Sequence, residues 1–185
     1  MKIVIVNGFP RSGKDTFVDF CLDYLGPYGK KISTVDFIKY IAKECGWNGE
    51  KTPKDRKFLS DLKDLLSEWN DVPWKKVVKE IDMFAFMMSQ YDMPTDNCVV
   101  FIHSREPKEI ERFEKELGAI SVLIKRKSIE FSQQSNHSDS EVLNHRYNYI
   151  IDNNEGLEEL KNKAEEFCKN LGIKILYNYN KKGEL

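Results

Sequence analysis

The chain has 185 residues, of which 41% are apolar and 32% charged, and its net charge is −1. That length suits one domain over residues 1–185 with a sizeable core. The near-neutral balance excludes the broad basic footprint that nucleic acid or an anionic membrane surface selects, so neither is expected as a partner. No apolar run has the length of a bilayer span and no targeting leader is read before the first strand, so a cytoplasmic location is expected. Cys21, Cys45, Cys98 and Cys168 are scattered, without the close pairing of a metal knuckle or a redox dithiol, and are read as reduced thiols.

The apolar run Ile3-Val4-Ile5-Val6 predicts a first strand from Lys2 to Val6. Directly after it comes Gly8-Phe9-Pro10-Arg11-Ser12-Gly13-Lys14-Asp15-Thr16. Gly8 and Gly13 permit backbone angles closed to other residues, so successive N–H groups can turn inward around an anion. A helix from about Gly13 to Tyr24 adds the positive end of its dipole, and Lys14 places a full charge beside the phosphates. Strand, loop, lysine and helix together have the layout of a phosphate-binding loop. The hydroxyl residue that usually follows the lysine is displaced by one position, with Asp15 first and Thr16 behind it.

Along the first helix Phe17, Phe20, Cys21, Tyr24 and Leu25 recur at helical spacing, and Gly26-Pro27 stops it. Lys31 to Val35 reads as a second strand. A helix from Asp36 carries Phe37, Tyr40, Ile41 and Cys45 as its apolar positions and ends at Gly46. Between Trp47 and Met93 the pattern turns to helices without strands. Thr52, Pro53 and Asp55 form a start signal, followed by the stripe Phe58, Leu59, Leu62, Leu65, Leu66 and Trp69. A second helix begins near Asp71 and offers Trp74, Val77, Val78, Ile81, Phe84, Ala85 and Met88.

Alternation then resumes. Cys98 to Ile102 has the nearly continuous apolar character of a strand buried on both faces. A helix over Pro107 to Leu117 turns Ile110, Phe113 and Leu117 inward and closes at Gly118. Ile120 to Ile124 is another buried strand, running into Lys125-Arg126-Lys127. Residues 128–141 are polar and predict a mobile loop. Tyr147 to Ile151 is a short strand, Leu157 to Leu171 a last helix ended by Gly172, and Ile173 to Tyr177 a candidate edge strand. The alternation predicts a three-layer α/β fold, a parallel sheet with helices on both faces and ligands at the carboxyl ends of the strands. It would carry a small helical substrate-binding insert at about 47–93 and a lid loop at about 125–141.

The loop from Gly8 to Thr16 resembles that of the P-loop nucleoside monophosphate kinase superfamily, most of all the phage-type deoxynucleoside monophosphate kinases, and phosphomevalonate kinases are similar there too. Ser104-Arg105-Glu106-Pro107-Lys108-Glu109 resembles the family's segment after the central strand. His137-Ser138-Asp139-Ser140-Glu141 is similar to its histidine–serine–glutamate segment, and Ile150 to Asn154 followed by Leu157-Glu158-Glu159-Leu160 resembles its closing strand–helix junction. The resemblance implies a phosphotransferase that moves the γ-phosphate of ATP, with Mg2+, to a nucleoside or deoxynucleoside monophosphate. It also implies an aspartate, holding magnesium through water, where this chain carries His103. Asp15 either supplies the missing anionic oxygen or faces solvent.

Phosphoryl transfer asks the protein for alignment, exclusion of water and positive charge on the moving group. Gly8, Arg11, Ser12, Gly13, Lys14, Asp15 and Thr16 are the candidates for the ATP phosphates, with Asp15 and Thr16 toward the metal. Lys14, Arg11 and Arg126 are the candidates for the reacting phosphoryl group, Arg126 swinging in with the lid. For the small-molecule acceptor the candidates are Asp36, Arg56 and Arg105, of which Asp36 also reads as a helix N-cap and Arg56 also reads as a solvated helix residue. Lys125 and Lys127 are inseparable from Arg126 on sequence. The resemblance places Asn153 and Asn154 near the donor base, while one of them also suits the cap of the last helix. His103 reads as a satisfied histidine at the core edge rather than a base, and His137 and Glu141 as residues that order the lid. The chain is expected to act as a monomer or homodimer. A guanine-specific switch would need an Asn-Lys-x-Asp signature, which the chain lacks. A non-nucleotide phosphate acceptor, or ATP binding without catalysis, remain the rival readings.

Overall fold

The computed structural model describes residues 1–91, 93–130, 142–143 and 145–173. Its centre is a sheet of parallel strands, β1 (Lys2–Asn7), β2 (Gly29–Ser33), β3 (Val99–His103), β4 (Ile120–Lys125) and β5 (Tyr149–Asp152). They lie in the order β2-β3-β1-β4-β5. Val4, Ile5 and Val6 of β1 and Val99 to Ile102 of β3 are fully buried, as their unbroken apolar runs require of strands covered on both faces. Each such side chain contributes about 1.5–3 kcal/mol of burial.

The helices are α1 (Lys14–Leu25), α2 (Asp36–Glu44), α3 (Pro53–Asn70), α4 (Val72–Gln90), α5 (Pro107–Leu117), α6 (Lys127–Glu130) and α7 (Leu157–Asn170). From β1 the chain crosses through α1 outward to β2. From β3 it crosses through α5 in the opposite direction to β4. Right-handed crossovers of opposite direction put α1 and α5 on opposite faces of the sheet. On the first face α7 joins α1, with Phe17 and Phe167 at 5.6 Å between ring centres. On the second α4 joins α5, with Trp74 and Phe113 at 4.7 Å. The fold is the three-layer α/β arrangement expected of a phosphate-loop protein.

Several local expectations need correction. Strand β2 begins at Gly29, and residues 34 and 35 already turn toward α2. Helix α2 buries Ile38 and Ala42, not the stripe of Phe37, Tyr40, Ile41 and Cys45. Phe37 and Tyr40 instead stack on each other, and Tyr40 is 60% exposed. In α3 the apolar stripe is largely open, with Leu65 62% and Trp69 74% exposed. That helix packs mainly on its neighbours α2 and α4, with Lys63 reaching the start of α5, so its far side is left open. The start of α3 is as expected: Thr52 Oγ1 accepts from Asp55 N and an Asp55 carboxylate oxygen accepts from Thr52 N, a complete capping box with Pro53 in the first turn. In α4 Val77, Ile81, Phe84 and Met88 are buried, as read.

The polar segment after β4 is not loop throughout, because Lys127–Glu130 is helical. The rest of the expected lid, with His137 and Glu141, lies outside the described residues, as does all but the first residue of the candidate strand Ile173 to Tyr177.

Candidate functional site

Parallel pairing aligns the carboxyl ends of the strands. Val6 is level with His103, Asn7 with Leu123, and Lys125 with Asp152. The segments leaving these ends form one edge: Gly8 to Gly13, Ser104 to Glu106, Arg126, and Asn153 with Asn154.

Gly8 has φ 155°, and a side chain there would set its Cβ 2.5 Å from Ser12 Oγ and 2.7 Å from the Ile124 carbonyl oxygen. Gly13, at φ 97°, caps α1 in the left-handed region, and a Cβ on it would run into the Asn153 amide nitrogen. Arg11 also takes a positive φ, 66°, although it is not glycine, which costs about 1–3 kcal/mol. Ser12 N donates to the Phe9 carbonyl oxygen at 3.1 Å and closes the turn. The loop is thus curled more tightly than ordinary residues tolerate.

Within it, Ser12 is fully buried and its Oγ has no hydrogen-bond partner among the described residues. A buried hydroxyl without a partner loses its solvation for nothing, unless a ligand completes it. Lys14 is 8% exposed, with its Nζ 4.0 Å from Asp15 Oδ2. Asp15 itself is open, its side chain 73% exposed. Thr16 is half-buried on the first turn of α1. These residues fit the polyphosphate of ATP. One exposed carboxylate and one hydroxyl also suit magnesium, which takes few protein oxygens and relies on phosphate and water.

His103 corrects its own expectation. It is not satisfied: both ring nitrogens are buried without hydrogen-bond partners among the described residues, and Nε2 lies 3.8 Å from Asp15 Oδ1. Burial lowers its pKa against the pull of Asp15, and Lys14 adds to the lowering. The imidazole is therefore neutral at pH 7, so it does not add a cation to the loop.

Residues the sequence did not single out hold the loop in place. Asn7, fully buried, accepts from Gly8 N through Oδ1 at 2.7 Å. Through Nδ2 it donates to Tyr147 Oη at 2.7 Å and to the Arg105 carbonyl oxygen at 3.4 Å. Tyr147 Oη in turn donates to the Val142 carbonyl oxygen at 2.8 Å. A polar residue closing an apolar strand just before a glycine was the available signal for Asn7. Tyr147 had none, since its partners are remote in the chain.

The other predicted residues divide. Asn153 joins the loop, donating through Nδ2 to the Ser12 carbonyl oxygen, and its own N–H reaches the Lys125 carbonyl oxygen at 2.7 Å. Asn154 Oδ1 accepts from Lys127 N at 2.9 Å, beside Arg126. Neither asparagine caps the last helix, because Gly156 occupies that position. Arg105 is exposed at the tip of β3 and tied to the loop through Asn7. Arg126 is exposed at the tip of β4. Asp36 is not the N-cap of α2: Val35 is, and Asp36 is an exposed first-turn residue whose carboxylate lies 3.2 Å from Lys39 Nζ. Arg56 is exposed on α3, its Nε donating to the Lys51 carbonyl oxygen at 3.2 Å, outside the hydrogen-bond network of the loop.

No family model matches the chain. No curated protein matches it either. Solved structures similar to it include dephospho-CoA kinase from Campylobacter jejuni, 16% identical over 92% of this chain and 97% of that one, with a TM-score of 0.47. A sugar kinase from Janibacter sp. HTCC2649 is 14% identical over 91% of this chain and 95% of that one, with a TM-score of 0.41. Among the described residues no helix is long and apolar enough to cross a membrane.

Proposed function

We propose that this chain is a kinase that transfers the γ-phosphoryl group of ATP to a nucleoside or deoxynucleoside monophosphate. The observation that carries the reading is the loop between β1 and α1. Positive-φ glycines at both ends, a buried Ser12 hydroxyl with no partner among the described residues and a buried Lys14 opening a helix are together suited to receive polyphosphate.

In this reading the amides from Arg11 to Thr16 and the Lys14 ammonium hold the donor phosphates. Thr16 and Asp15 would hold a magnesium ion, which when bound would supply charge neutralisation on the phosphate oxygens. Arg105 and Arg126 follow β3 and β4, the strands on either side of β1 and its loop, and bring guanidinium groups to the acceptor phosphate and the transferred group. Arg11 serves the donor side. Asn153 fixes the loop from behind and borders the donor base. The acceptor's sugar and base face α2 and the α3–α4 pair, where Asp36 offers a carboxylate. A phosphate monoester acceptor is already an anionic nucleophile, so alignment and positive charge suffice and no strong base is required, in keeping with the neutral His103. We further propose that residues 1–185 act as a single domain, with about 47–93 as the acceptor-side insert and about 125–141 as the lid.

A coupled assay tests this. ATP and magnesium are supplied with each of the ribo- and deoxyribonucleoside 5′-monophosphates, and with phosphomevalonate as a non-nucleotide acceptor. Turnover of at least one nucleotide, lost in Lys14→Ala together with ATP affinity, is the expected result. Turnover of the non-nucleotide alone, or undiminished ATP binding by Lys14→Ala, overturns the reading.

A further inference from the structure

Lys63 is the one buried residue of α3, at 8% exposure, on a helix whose leucines and tryptophan are more open than it is. Its Nζ lies 2.7 Å from Glu106 Oε1 and 2.7 Å from Glu109 Oε1. The other oxygen of Glu109 accepts from Ser104 Oγ at 2.7 Å. Burial works to lower the pKa of this ammonium, but the Glu109 and Glu106 carboxylates outweigh it and hold the pKa above the usual lysine value. Lys63 is therefore a permanent cation.

Lys63 is buried, but the Glu109 side chain is 23% and the Glu106 side chain 50% exposed. Desolvation of the ammonium and solvent screening of the carboxylates therefore leave the cluster little net stability over apolar side chains of the same size. A cavity of about 250 Å³ lies beside the cluster, bordered by Ser67, Trp74 and Arg112. The Lys63 bridge ties the middle of α3 to the start of α5, while the bidentate Arg112–Asp71 pair ties the end of α3 further along the same helix.

What the bridge holds is specific. Ser104 and Glu106 are the two neighbours of Arg105, and Lys63 fixes both, the first through Glu109 and the second directly. From the opposite side Asn7 holds the Arg105 carbonyl group, and Asn7 also receives the Gly8 N–H. The Arg105 turn is thus pinned between the phosphate loop and α3.

We propose that Lys63 is a positioning residue of the acceptor site, setting the Ser104–Arg105–Glu106 turn so that the Arg105 guanidinium meets the acceptor phosphate. The inference rests on the role given to Arg105 under the proposed function. It extends that role to a residue on α3 and makes α3 responsible for acceptor affinity rather than for ATP.

The test is a double-mutant cycle of Lys63→Met and Arg105→Ala, assayed with the four deoxynucleoside and four ribonucleoside 5′-monophosphates in parallel. Lys63→Met is expected to raise acceptor KM roughly tenfold, with ATP KM and kcat within about threefold of the parent chain. Lys63→Arg, which keeps the charge and can reach both carboxylates, restores most of the loss. On an Arg105→Ala background Lys63→Met adds less than about twofold, because both changes remove the same interaction. Should Lys63→Met fail to fold, as read from its melting curve and ATP binding, Glu106→Gln replaces it and is expected to raise acceptor KM in the same direction. If Arg105→Ala raises acceptor KM while neither Lys63→Met nor Glu106→Gln does, this inference alone is overturned. An effect of Lys63→Met that persists undiminished on the Arg105→Ala background overturns it as well. If Arg105→Ala leaves acceptor KM unchanged, the grip assigned to Arg105 falls, and the positioning role falls with it.

Discussion

Asn153 donates through its Nδ2 to the Ser12 carbonyl oxygen at 2.8 Å, joining the end of β5 to the first loop across 141 residues of chain. The same side chain fills the space that a Cβ on Gly13 would need. The phosphate loop is therefore backed by the last strand and does not depend on its glycines alone. Asn153→Ala is expected to lower stability by about 1 kcal/mol, the net value of a hydrogen bond of this kind, and to weaken ATP binding several-fold. Asn153→Asp should weaken ATP binding further, because it puts a carboxylate behind the loop. Titration calorimetry and a melting curve check both; unchanged ATP affinity in both variants would remove the latch from the argument.

Gly13→Ala meets two obstacles, a φ of 97° and the Asn153 amide. The expected cost is about 1–3 kcal/mol of stability from the backbone angle alone. ATP affinity falls at least tenfold. Combining it with Asn153→Ala clears the collision but not the angle, so the double variant should stay well below the parent in ATP affinity by calorimetry.

Burial of the Tyr147 phenol pushes its pKa up to about 12 from the usual 10, with the hydrogen bond from Asn7 acting the other way. A folded-state pKa above the unfolded one means stability that is complete below pH 10 and declines as the pH rises from 10 toward 12. Tyr147→Phe should flatten that alkaline decline, seen as urea midpoints that change less between pH 9 and about 11 than those of the parent. It should also remove a late step from the ultraviolet tyrosinate titration. At pH 7 it leaves the Asn7 amide without its 2.7 Å partner, and ATP affinity drops a few-fold.

Thr52→Ala removes the acceptor for Asp55 N and breaks the reciprocal box at the head of α3. A loss of about 1 kcal/mol is expected, read as a lower melting temperature. ATP affinity should not change, since the cap is part of neither the loop nor its supports. A comparable loss of ATP affinity would mean that the α3 start and the loop are coupled.

The sequence was most readable where one physical rule dominated. Short apolar runs identified β1, β3 and β4, and Pro107 with Gly118 framed α5 to the residue. Thr52, Pro53 and Asp55 announced α3 through chemistry local to one turn. For α2 and α3 periodicity showed that an apolar stripe exists and not whether anything covers it. Ile38 and Ala42 are the buried residues of α2, while Phe37 and Tyr40 stack on each other instead. Within the site, the glycines and Lys14 were legible because a loop around an anion needs those residue types. Lys63, Asn7 and Tyr147 were not, as their partners lie 43, 98 and 140 positions away and leave no trace in spacing. For Asp36, periodicity located the helix but erred by one residue on which position caps it.

The position of β1 between β3 and β4 has a consequence for how the chain reaches its native state. During synthesis β1 must wait for partners near residues 99 and 120, so its apolar segment stays unsheltered until β3 and β4 have been made. Non-local parallel pairing of this sort slows folding and leaves an aggregation-prone interval. Nascent chains halted before residue 99 should then lean on chaperones far more than chains released after β4.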